Sequence, residues 1–363
     1  MNIGIPKERR PFEYRVGLTP TAVQMLIKNG NKCYVEHDAG LGAGFSDQQY
    51  EQAGARVVYS PHEVFGRSDL LIKVARPILE EIEWLRPGTA IAGLLHLNSS
   101  RKDKIDALLE NEITAIAMEQ IQLEDGRSPV RHALAQIGGL MVPQVAARLL
   151  QNEVGGKGIL LGGIVGVPPA EVVIIGAGVV GTCATLGFLG MGAHVTVMDV
   201  DLYALQRIHD RYLGVVTMIA NPVSIARAIA YADVVVGAIF VPGERSPTII
   251  TREMLRAMKP RAVIMDVSID EGGCVETSRP TTHDHPTFVE EGVIHYCVPN
   301  MPGIVARTST HAYINSSMPF ILELTEKGVD AAIDQNTAIQ KSINTRHGKI
   351  VHLSSFAQVL QEE

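Results

Sequence analysis

Three glycines near the middle of the chain follow an apolar run with the spacing G-x-G-x-x-G: Gly176, Gly178 and Gly181. In such a turn the first glycine allows a sharp reversal, the second lets the backbone approach a pyrophosphate, and the third lets a helix pack closely on a strand. Asp199 follows the first of them by 23 positions, at the end of the next apolar run. A carboxylate at about that distance binds a ribose hydroxyl. The segment therefore predicts a dinucleotide-binding site.

Further contacts to the cofactor are predicted from the helix after this turn and from later strand ends. Val179 and Val180 begin the helix, whose N–H groups and positive dipole end attract phosphate. Ile239 follows a later apolar run. Asn300 could bond the carboxamide or the ribose of the nucleotide, although its segment could also be only a turn.

Two cationic side chains could bind the carboxylate of a small acid. Arg15 could donate two parallel N–H bonds to a carboxylate, or it could be a solvated surface arginine. Lys73 lies inside an apolar run, which is unusual because lysine is almost never fully buried without a partner. The alternative is that Lys73 extends its ammonium group to solvent from an edge strand.

Two other groups could transfer protons next to a reacting carbon. His96 follows an apolar run and can exchange protons near neutral pH, although a hydrogen-bonded core histidine would give the same pattern. Asp270 lies just past another apolar run, where open α/β sheets bind ligands, although it could simply cap the following turn. The sequence shows no metal-ligand spacing and no Ser/His/Asp nucleophile signature.

Apolar runs alternate with helical patterns along most of the chain, which predicts mostly parallel sheets covered by helices. Strands are predicted at Ile3–Ile5, Lys32–Glu36, Leu70–Val74, Ile91–Leu95, Val172–Ile175, Val195–Met198, Asp233–Gly237 and Ala262–Val267. Helices are predicted at Thr19–Asn29, Asp47–Gln52, Ser100–Glu110, Ala133–Gln151, Ser309–Gly328, Val329–Thr345 and Phe356–Leu360. Too few strands follow residue 305 for an independent domain, so we expect the last helices to pack on the N-terminal domain.

The fold class is therefore α/β, with two Rossmann-like domains, a cleft between them and a discontinuous N-terminal domain. Residues 1–130 together with 305–363 are predicted to form the substrate domain, and residues 131–304 the dinucleotide-binding Rossmann domain. The formal charge of −7 argues against nucleic acid or an anionic membrane as the main partner. Four cysteines without C-x-x-C spacing and an N-terminus without a signal peptide favour the cytoplasm.

These motifs resemble the alanine dehydrogenases and the soluble NAD(H)-binding part of transhydrogenase over nearly the whole chain. The matching segments are Gly4–Glu8, Arg15–Pro20, Gly158–Gly163, Gly166–Pro169, Val173–Gly181, Gly237–Gly243, Asp266–Cys274 and His295–Gly303. The resemblance implies that Arg15 and Lys73 hold the carboxylate and carbonyl of pyruvate or alanine. It also implies that His96 and Asp270 form the acid/base pair around an imino-acid intermediate. With Asp199 as the ribose acid it implies NAD rather than NADP, and members of the family are commonly hexamers.

The chain departs from the family's pattern in two places. Where the family reads Pro-Met-Ser-Glu, near the expected interdomain cleft, this chain has Arg131-His-Ala-Leu-Ala-Gln136. Where the family reads Lys-Val-Lys-Glu-Pro, this chain has Lys73-Val-Ala-Arg-Pro77. Arg131 or His132 could contact a larger or more acidic substrate, or could be a surface pair at the start of a helix.

The function expected from the resemblance is NAD-dependent, reversible oxidative deamination of a small L-amino acid, most simply L-alanine to pyruvate and ammonia. One alternative is reductive condensation of a 2-oxo acid with a larger amine on the same scaffold. Another is a non-catalytic NAD(H)-binding module. The expected partners are a small amino acid or 2-oxo acid and further copies of the chain in a hexamer.

Overall fold

The computed structural model describes residues 1–241 and 244–353, and the chain divides into two compact units. The N-terminal unit comprises Met1–Leu134 together with the chain from Gly303 onward, and the C-terminal unit comprises Ala135–Pro302. The N-terminal unit is therefore built from two separate stretches of chain. The predicted helix Phe356–Leu360 lies outside the described residues.

The strands and helices alternate along most of the chain. The strands are β1 Asn2–Ile5, β2 Lys32–Glu36, β3 Arg56–Val58, β4 Leu70–Ala75, β5 Ala90–Leu94, β6 Thr114–Ala117, β7 Glu171–Ile175, β8 His194–Asp199, β9 Val216–Ile219, β10 Val234–Gly237, β11 Val263–Asp266, β12 Thr287–Glu290, β13 Val293–Tyr296, β14 Ile343–Arg346 and β15 Lys349–Ile350. The helices are α1 Pro20–Lys28, α2 Asp47–Gln52, α3 Pro61–Arg67, α4 Leu79–Glu83, α5 Lys102–Glu110, α6 Pro129–Leu149, α7 Val179–Gly190, α8 Leu202–Arg211, α9 Pro222–Tyr231, α10 Arg252–Arg256, α11 Ala306–Lys327, α12 Val329–Gln335 and α13 Thr337–Gln340.

The sheet of the N-terminal unit has the strand order β15-β14-β6-β5-β4-β1-β2-β3. Strands β1 to β6 pair in parallel, whereas β14 pairs antiparallel with β6. The sequence order of the strands reverses between β1 and β4. In open α/β sheets, ligands bind at such a switch point, in the crevice beyond the carboxyl ends of the strands.

The sheet of the C-terminal unit has the order β12-β13-β11-β10-β7-β8-β9 and repeats this topology. All its pairs are parallel except that of β12 with β13, and the order reverses between β7 and β10. The predicted α/β class with two Rossmann-like sheets is therefore confirmed. Among the residues that the structure describes, no helix is both long enough and apolar enough to span a bilayer.

Local signals in the sequence explain where several helices start. The Thr19 side chain accepts a hydrogen bond from the N–H of Ala22, and Pro20 occupies the first turn of α1. At α2, Ser46 and Gln49 form a reciprocal capping box. Strand β4 is buried at every position, as expected for a central strand of a parallel sheet covered on both faces.

The prediction of one helix over Val329–Thr345 was wrong. The segment contains two short helices, α12 and α13, followed by strand β14. Asn336 ends α12 and caps α13, because its side chain accepts the N–H groups of Ala338 and Ile339. The first three positions of β14 are buried, since the strand completes the N-terminal sheet beside β6.

Candidate active site

The glycine turn between β7 and α7 has the geometry that its spacing predicts. Gly176 has a φ of 112°, and a Cβ atom there would lie 2.2 Å from the carbonyl oxygen of Ala238. A Cβ atom at Gly181 would lie 1.8 Å from the carbonyl oxygen of Gly176. Both positions exclude every side chain, because the neighbouring atoms are backbone.

Gly178 differs from the other two glycines because a Cβ atom there would meet no atom within 4 Å. It is the N-cap residue of α7, and no side chain caps this helix end. Val179 and Val180, both partly buried, form its first turn. Open space in front of uncapped N–H groups suits a pyrophosphate, which the positive end of the helix would also attract. The residues present therefore fit a dinucleotide cofactor.

Asp199 ends strand β8 with its carboxylate turned toward the glycine turn. One oxygen accepts the N–H of Ala177 at 2.6 Å, and the other accepts the N–H of Asp201 at 2.9 Å. These bonds fix a negative charge beside the turn. A carboxylate at this place can accept a ribose hydroxyl and repels a 2′-phosphate.

Asp270 and Asn300 are brought together beyond the carboxyl ends of β11 and β13. Asp270 is exposed and lies in the short turn after β11, and its Oδ2 atom accepts the N–H of Asn300 at 3.3 Å. Asn300 has a φ of 55°, a left-handed conformation that asparagine tolerates. Ile239, in the loop after β10, donates its N–H to the Ser268 hydroxyl at 2.8 Å. All three residues thus lie at the ligand-binding edge of the second sheet.

His96 follows β5 in a left-handed conformation, with φ 42° and ψ 43°. The buried carboxylate of Glu119 accepts the N–H of Leu95 at 3.1 Å and the N–H of His96 at 2.7 Å. The imidazole Nδ1 lies 3.9 Å from the same carboxylate, and 48% of the side chain is exposed. His96 is therefore not a core histidine. Its imidazole ring is accessible, and its backbone N–H is held by the hydrogen bond to Glu119. Sequence reasoning missed Glu119, although an acid directly after a buried strand was a usable signal.

Arg15 is buried rather than solvated at the surface. Its Nε and Nη2 atoms donate to the two oxygens of Glu13 at 2.7 and 2.5 Å, and only 3% of its side chain is exposed. The two parallel N–H bonds that were predicted for a ligand carboxylate are thus made to Glu13 of the chain itself.

Lys73 lies in the central strand β4 with its ammonium group fully buried between two carboxylates. Its Nζ atom lies 2.8 Å from Glu81 and 3.0 Å from Glu8. Burial alone would lower the pKa of Lys73, but the two carboxylates outweigh burial and the pKa is raised. The edge-strand interpretation was wrong. Both printed partners of the ammonium group belong to the chain itself, and contact between Lys73 and substrate stays a prediction.

The segment that departs from the family's pattern lies at the start of α6. Arg131 is partly buried and His132 is exposed, both in the first turn. Ala135 is partly buried and Gln136 is exposed in the next turn.

Two doubly wound sheets, one of which carries a glycine turn with an acid at the end of the next strand, define a dinucleotide-binding protein of the Rossmann type. Models of the alanine dehydrogenase/PNT family match residues 4–137 for the N-terminal domain and residues 142–353 for the C-terminal domain. The chain belongs to this family. Family membership and the Rossmann-like fold imply a nicotinamide cofactor.

Individual members of the family resemble the chain over nearly its full length. An alanine dehydrogenase of Methanococcus maripaludis is 43% identical over 97% of this chain and 95% of the relative. A solved L-alanine dehydrogenase has a TM-score of 0.95 and 38% identity, over 100% of this chain and 99% of that one. A solved transhydrogenase from Sinorhizobium meliloti has a TM-score of 0.83 and 27% identity, over 98% and 100% of the two chains.

Proposed function

We propose that the protein catalyses the NAD-dependent, reversible oxidative deamination of a small L-amino acid, in the simplest case L-alanine to pyruvate and ammonia. One observation carries the proposal. Full-length similarity to alanine dehydrogenases coincides with an accessible ionisable side chain at the ligand-binding edge of each sheet, His96 in one and Asp270 in the other. The transhydrogenase likeness is lower in both identity and TM-score, which favours the dehydrogenase reaction.

NAD is the proposed cofactor, and it would accept hydride from Cα of the amino acid. Gly178, Val179 and Val180 would hold the pyrophosphate through the start of α7, and Asp199 would bind the ribose. A fixed carboxylate at that strand end favours a free 2′-hydroxyl over a 2′-phosphate. Asn300, with Ile239 in the neighbouring loop, would contact the remaining part of the nucleotide.

Proton transfer is assigned to His96 and Asp270. Loss of hydride leaves an imino acid, and its hydrolysis needs a base that takes a proton from the attacking water and an acid that protonates the leaving amine. Glu119 fixes the backbone of His96, so the ring can turn only about its side-chain bonds while it exchanges a proton. Arg15 would bind the substrate carboxylate. Lys73 would act as a positioning residue that holds Glu8 and Glu81 in place.

The decisive test is NADH oxidation, followed by absorbance, with a panel of 2-oxo acids and ammonia. We expect turnover with pyruvate and a loss of about 10²–10⁴-fold in kcat for His96→Ala. Turnover only when an amino acid replaces ammonia would instead indicate reductive condensation. Tight NADH binding without turnover on any substrate would indicate a non-catalytic module.

We also propose that the protein is a cytoplasmic homo-oligomer, a hexamer in the simplest case. Support comes from exposed apolar side chains in the loop between α6 and β7. Its exposed side chains include Leu160, Ile164, Val165 and Val167, and Val165 is fully exposed. Such patches mark protein contacts more often than free surface. Light scattering at several concentrations tests the assembly, and a strict monomer would contradict it.

The four free cysteines suit a reducing compartment, which supports the proposed cytoplasmic location.

A further inference from the structure

Strand β4 has a local irregularity at Lys73. It pairs with β5 in regular register as far as Ile72, and the pairing resumes at Ala75 with a shift. Two residues of β4, Lys73 and Val74, therefore lie opposite the single residue Gly93 of β5, which is the arrangement of a β-bulge. Bulges are over-represented beside active sites, where they change the direction of a side chain.

Side chains from two other segments of the N-terminal unit bind the peptide group between Lys73 and Val74. Its N–H donates to Oε1 of Glu8 at 2.6 Å. Its carbonyl oxygen accepts the hydroxyl of Tyr313 at 3.0 Å. From β5, a Cβ atom at Gly93 would lie 2.9 Å from the same carbonyl oxygen, so a side chain there would displace it. Contacts with three separate segments thus fix the bulged peptide.

Tyr313 is a fully buried residue of α11 whose phenol keeps its proton. Burial is the main cause that raises its pKa, the carboxylates of Glu119 and Glu8 raise it further, and Arg15 lowers it. The hydroxyl therefore remains a hydrogen-bond donor at neutral pH. The same interactions show that Tyr313 lies among charged groups of the candidate site, since Glu119 also binds the backbone N–H of His96.

Helix α11 also contacts the backbone next to Arg15. The N–H of Val16 donates to the hydroxyl of Thr310 at 3.3 Å, and this bond is buried. Thr310 and Tyr313 lie three positions apart, so they share one face of the helix. One face of α11 therefore holds the chain at two residues, Arg15 and Lys73, that are predicted to bind the substrate.

We propose that Tyr313 is a positioning residue, whose hydroxyl fixes the bulged peptide of β4 and thereby directs the Lys73 side chain toward the substrate. This inference rests on the proposed dehydrogenase function, because the effect on turnover passes through Lys73. Without the hydroxyl, the carbonyl oxygen of Lys73 loses a buried partner and the peptide can shift. A small misplacement of a substrate-binding group is enough to weaken its interaction. The effect should fall on the 2-oxo acid and not on NADH, whose proposed site lies in the C-terminal unit.

The test compares Tyr313→Phe with Tyr50→Phe in the full chain. Tyr50 is also fully buried in the N-terminal unit, and its hydroxyl donates to the carbonyl oxygen of Leu18 at 2.8 Å. Each variant therefore loses one hydroxyl and one buried hydrogen bond to a backbone carbonyl. Kinetics with NADH, ammonia and pyruvate are measured well below the melting temperature of each variant.

Tyr313→Phe should raise the KM for pyruvate by about 3–10-fold, the effect of one neutral hydrogen bond, and leave the KM for NADH unchanged. Tyr50→Phe should change neither constant, although its melting temperature should fall by a similar amount. An unchanged KM for pyruvate in Tyr313→Phe would overturn the inference. So would an equal rise in both variants, because a general loss of stability would then explain it.

Hydrogen–deuterium exchange separates failure of this inference from failure of the proposed function, because it needs no turnover. Exchange in the peptide that contains Val74 should be about 3–10-fold faster in Tyr313→Phe than in the wild type and unchanged in Tyr50→Phe. That result without turnover of any 2-oxo acid would refute only the dehydrogenase reaction. Equal exchange in both variants would overturn the inference, even in an active dehydrogenase. If Tyr313→Phe does not fold, Gly93→Ala replaces it in both measurements, since its Cβ atom displaces the same carbonyl oxygen.

Discussion

Replacement of Lys73 by methionine should unfold the N-terminal unit far more easily. The ammonium group is fully buried and pairs with Glu8 and Glu81, so its removal leaves the buried Glu8 without this cation and leaves Glu81 with Arg9 alone. Breaking a buried pair by removing one partner costs about 3–5 kcal/mol. At about 2–4 °C per kcal/mol for a unit of this size, the melting temperature falls by about 6–20 °C.

The single tryptophan of the chain gives a local signal for this measurement. Trp84 follows α4, and its ring lies 5.4 Å from that of Phe65 and 5.0 Å from the guanidinium group of Arg9. Arg9 in turn lies 3.5 Å from Glu81, so urea unfolding followed by tryptophan fluorescence reports on the surroundings of Lys73. A matched control is Lys349→Met, which removes an exposed lysine from the same unit.

The double variant of Lys73→Met with Glu81→Gln tests whether the loss of the ion pair causes the destabilisation. Because it also removes the negative charge that had paired with Lys73, it should be less destabilised than the sum of the single variants. The reasoning is refuted if Lys73→Met unfolds at the same urea concentration as the wild type but loses more than about 100-fold in kcat. A loss of that size without unfolding would mean that Lys73 acts directly on the substrate, as general acid–base groups do.

Three further outcomes follow from the C-terminal unit. Asp199→Asn should bring the kcat/KM values for NAD and NADP closer together, because the charge that repels a 2′-phosphate is gone; an unchanged ratio would remove Asp199 from the ribose site. Gly181→Ala should lower the melting temperature, since its Cβ atom would overlap a backbone oxygen, whereas Gly178→Ala should keep it and weaken NADH binding measured by fluorescence. Asp233 is partly buried, which would raise its pKa, but the hydrogen bonds it accepts from Lys157 and Lys259 outweigh burial and lower the pKa below its usual value. Its stabilising effect relative to Asp233→Asn should therefore be present at neutral pH and be lost in urea titrations as the pH falls through that lowered pKa.

Most of the fold could be predicted because its signals are local. The capping box at Ser46 and Gln49 defines the start of α2, and the glycine spacing located the cofactor turn. Strand β14 was missed because it is stabilised by pairing with β6, more than two hundred positions earlier in the chain. A sequence pattern over a few residues gives no information on a pairing strand so far away in the chain. Such tertiary pairing overrides the local propensity of the segment.

The site was predictable in its residue types but not in their environments. Lys73 was flagged because its neighbours are apolar, yet its partner Glu8 is 65 positions away and their meeting depends on sheet order. The hydrogen bond from the backbone N–H of His96 to the carboxylate of Glu119 likewise joins the ends of two adjacent strands. The order of the strands in the sheet decides which charged residues meet. The spacing of residues within one motif gives no information on that order.

The discontinuity of the N-terminal unit has a consequence for synthesis on the ribosome. The edge of β6 is covered only when β14 arrives, and Thr345 bonds to Ile113 across 232 positions of chain. At about 5–20 residues per second, that edge stays open for about 10–50 s. The C-terminal unit, a continuous segment, emerges completely during this interval and can fold first. An unpaired strand edge is prone to pair with other chains, so newly made protein should depend on chaperones during this interval, and a slowed ribosome should raise the fraction that aggregates.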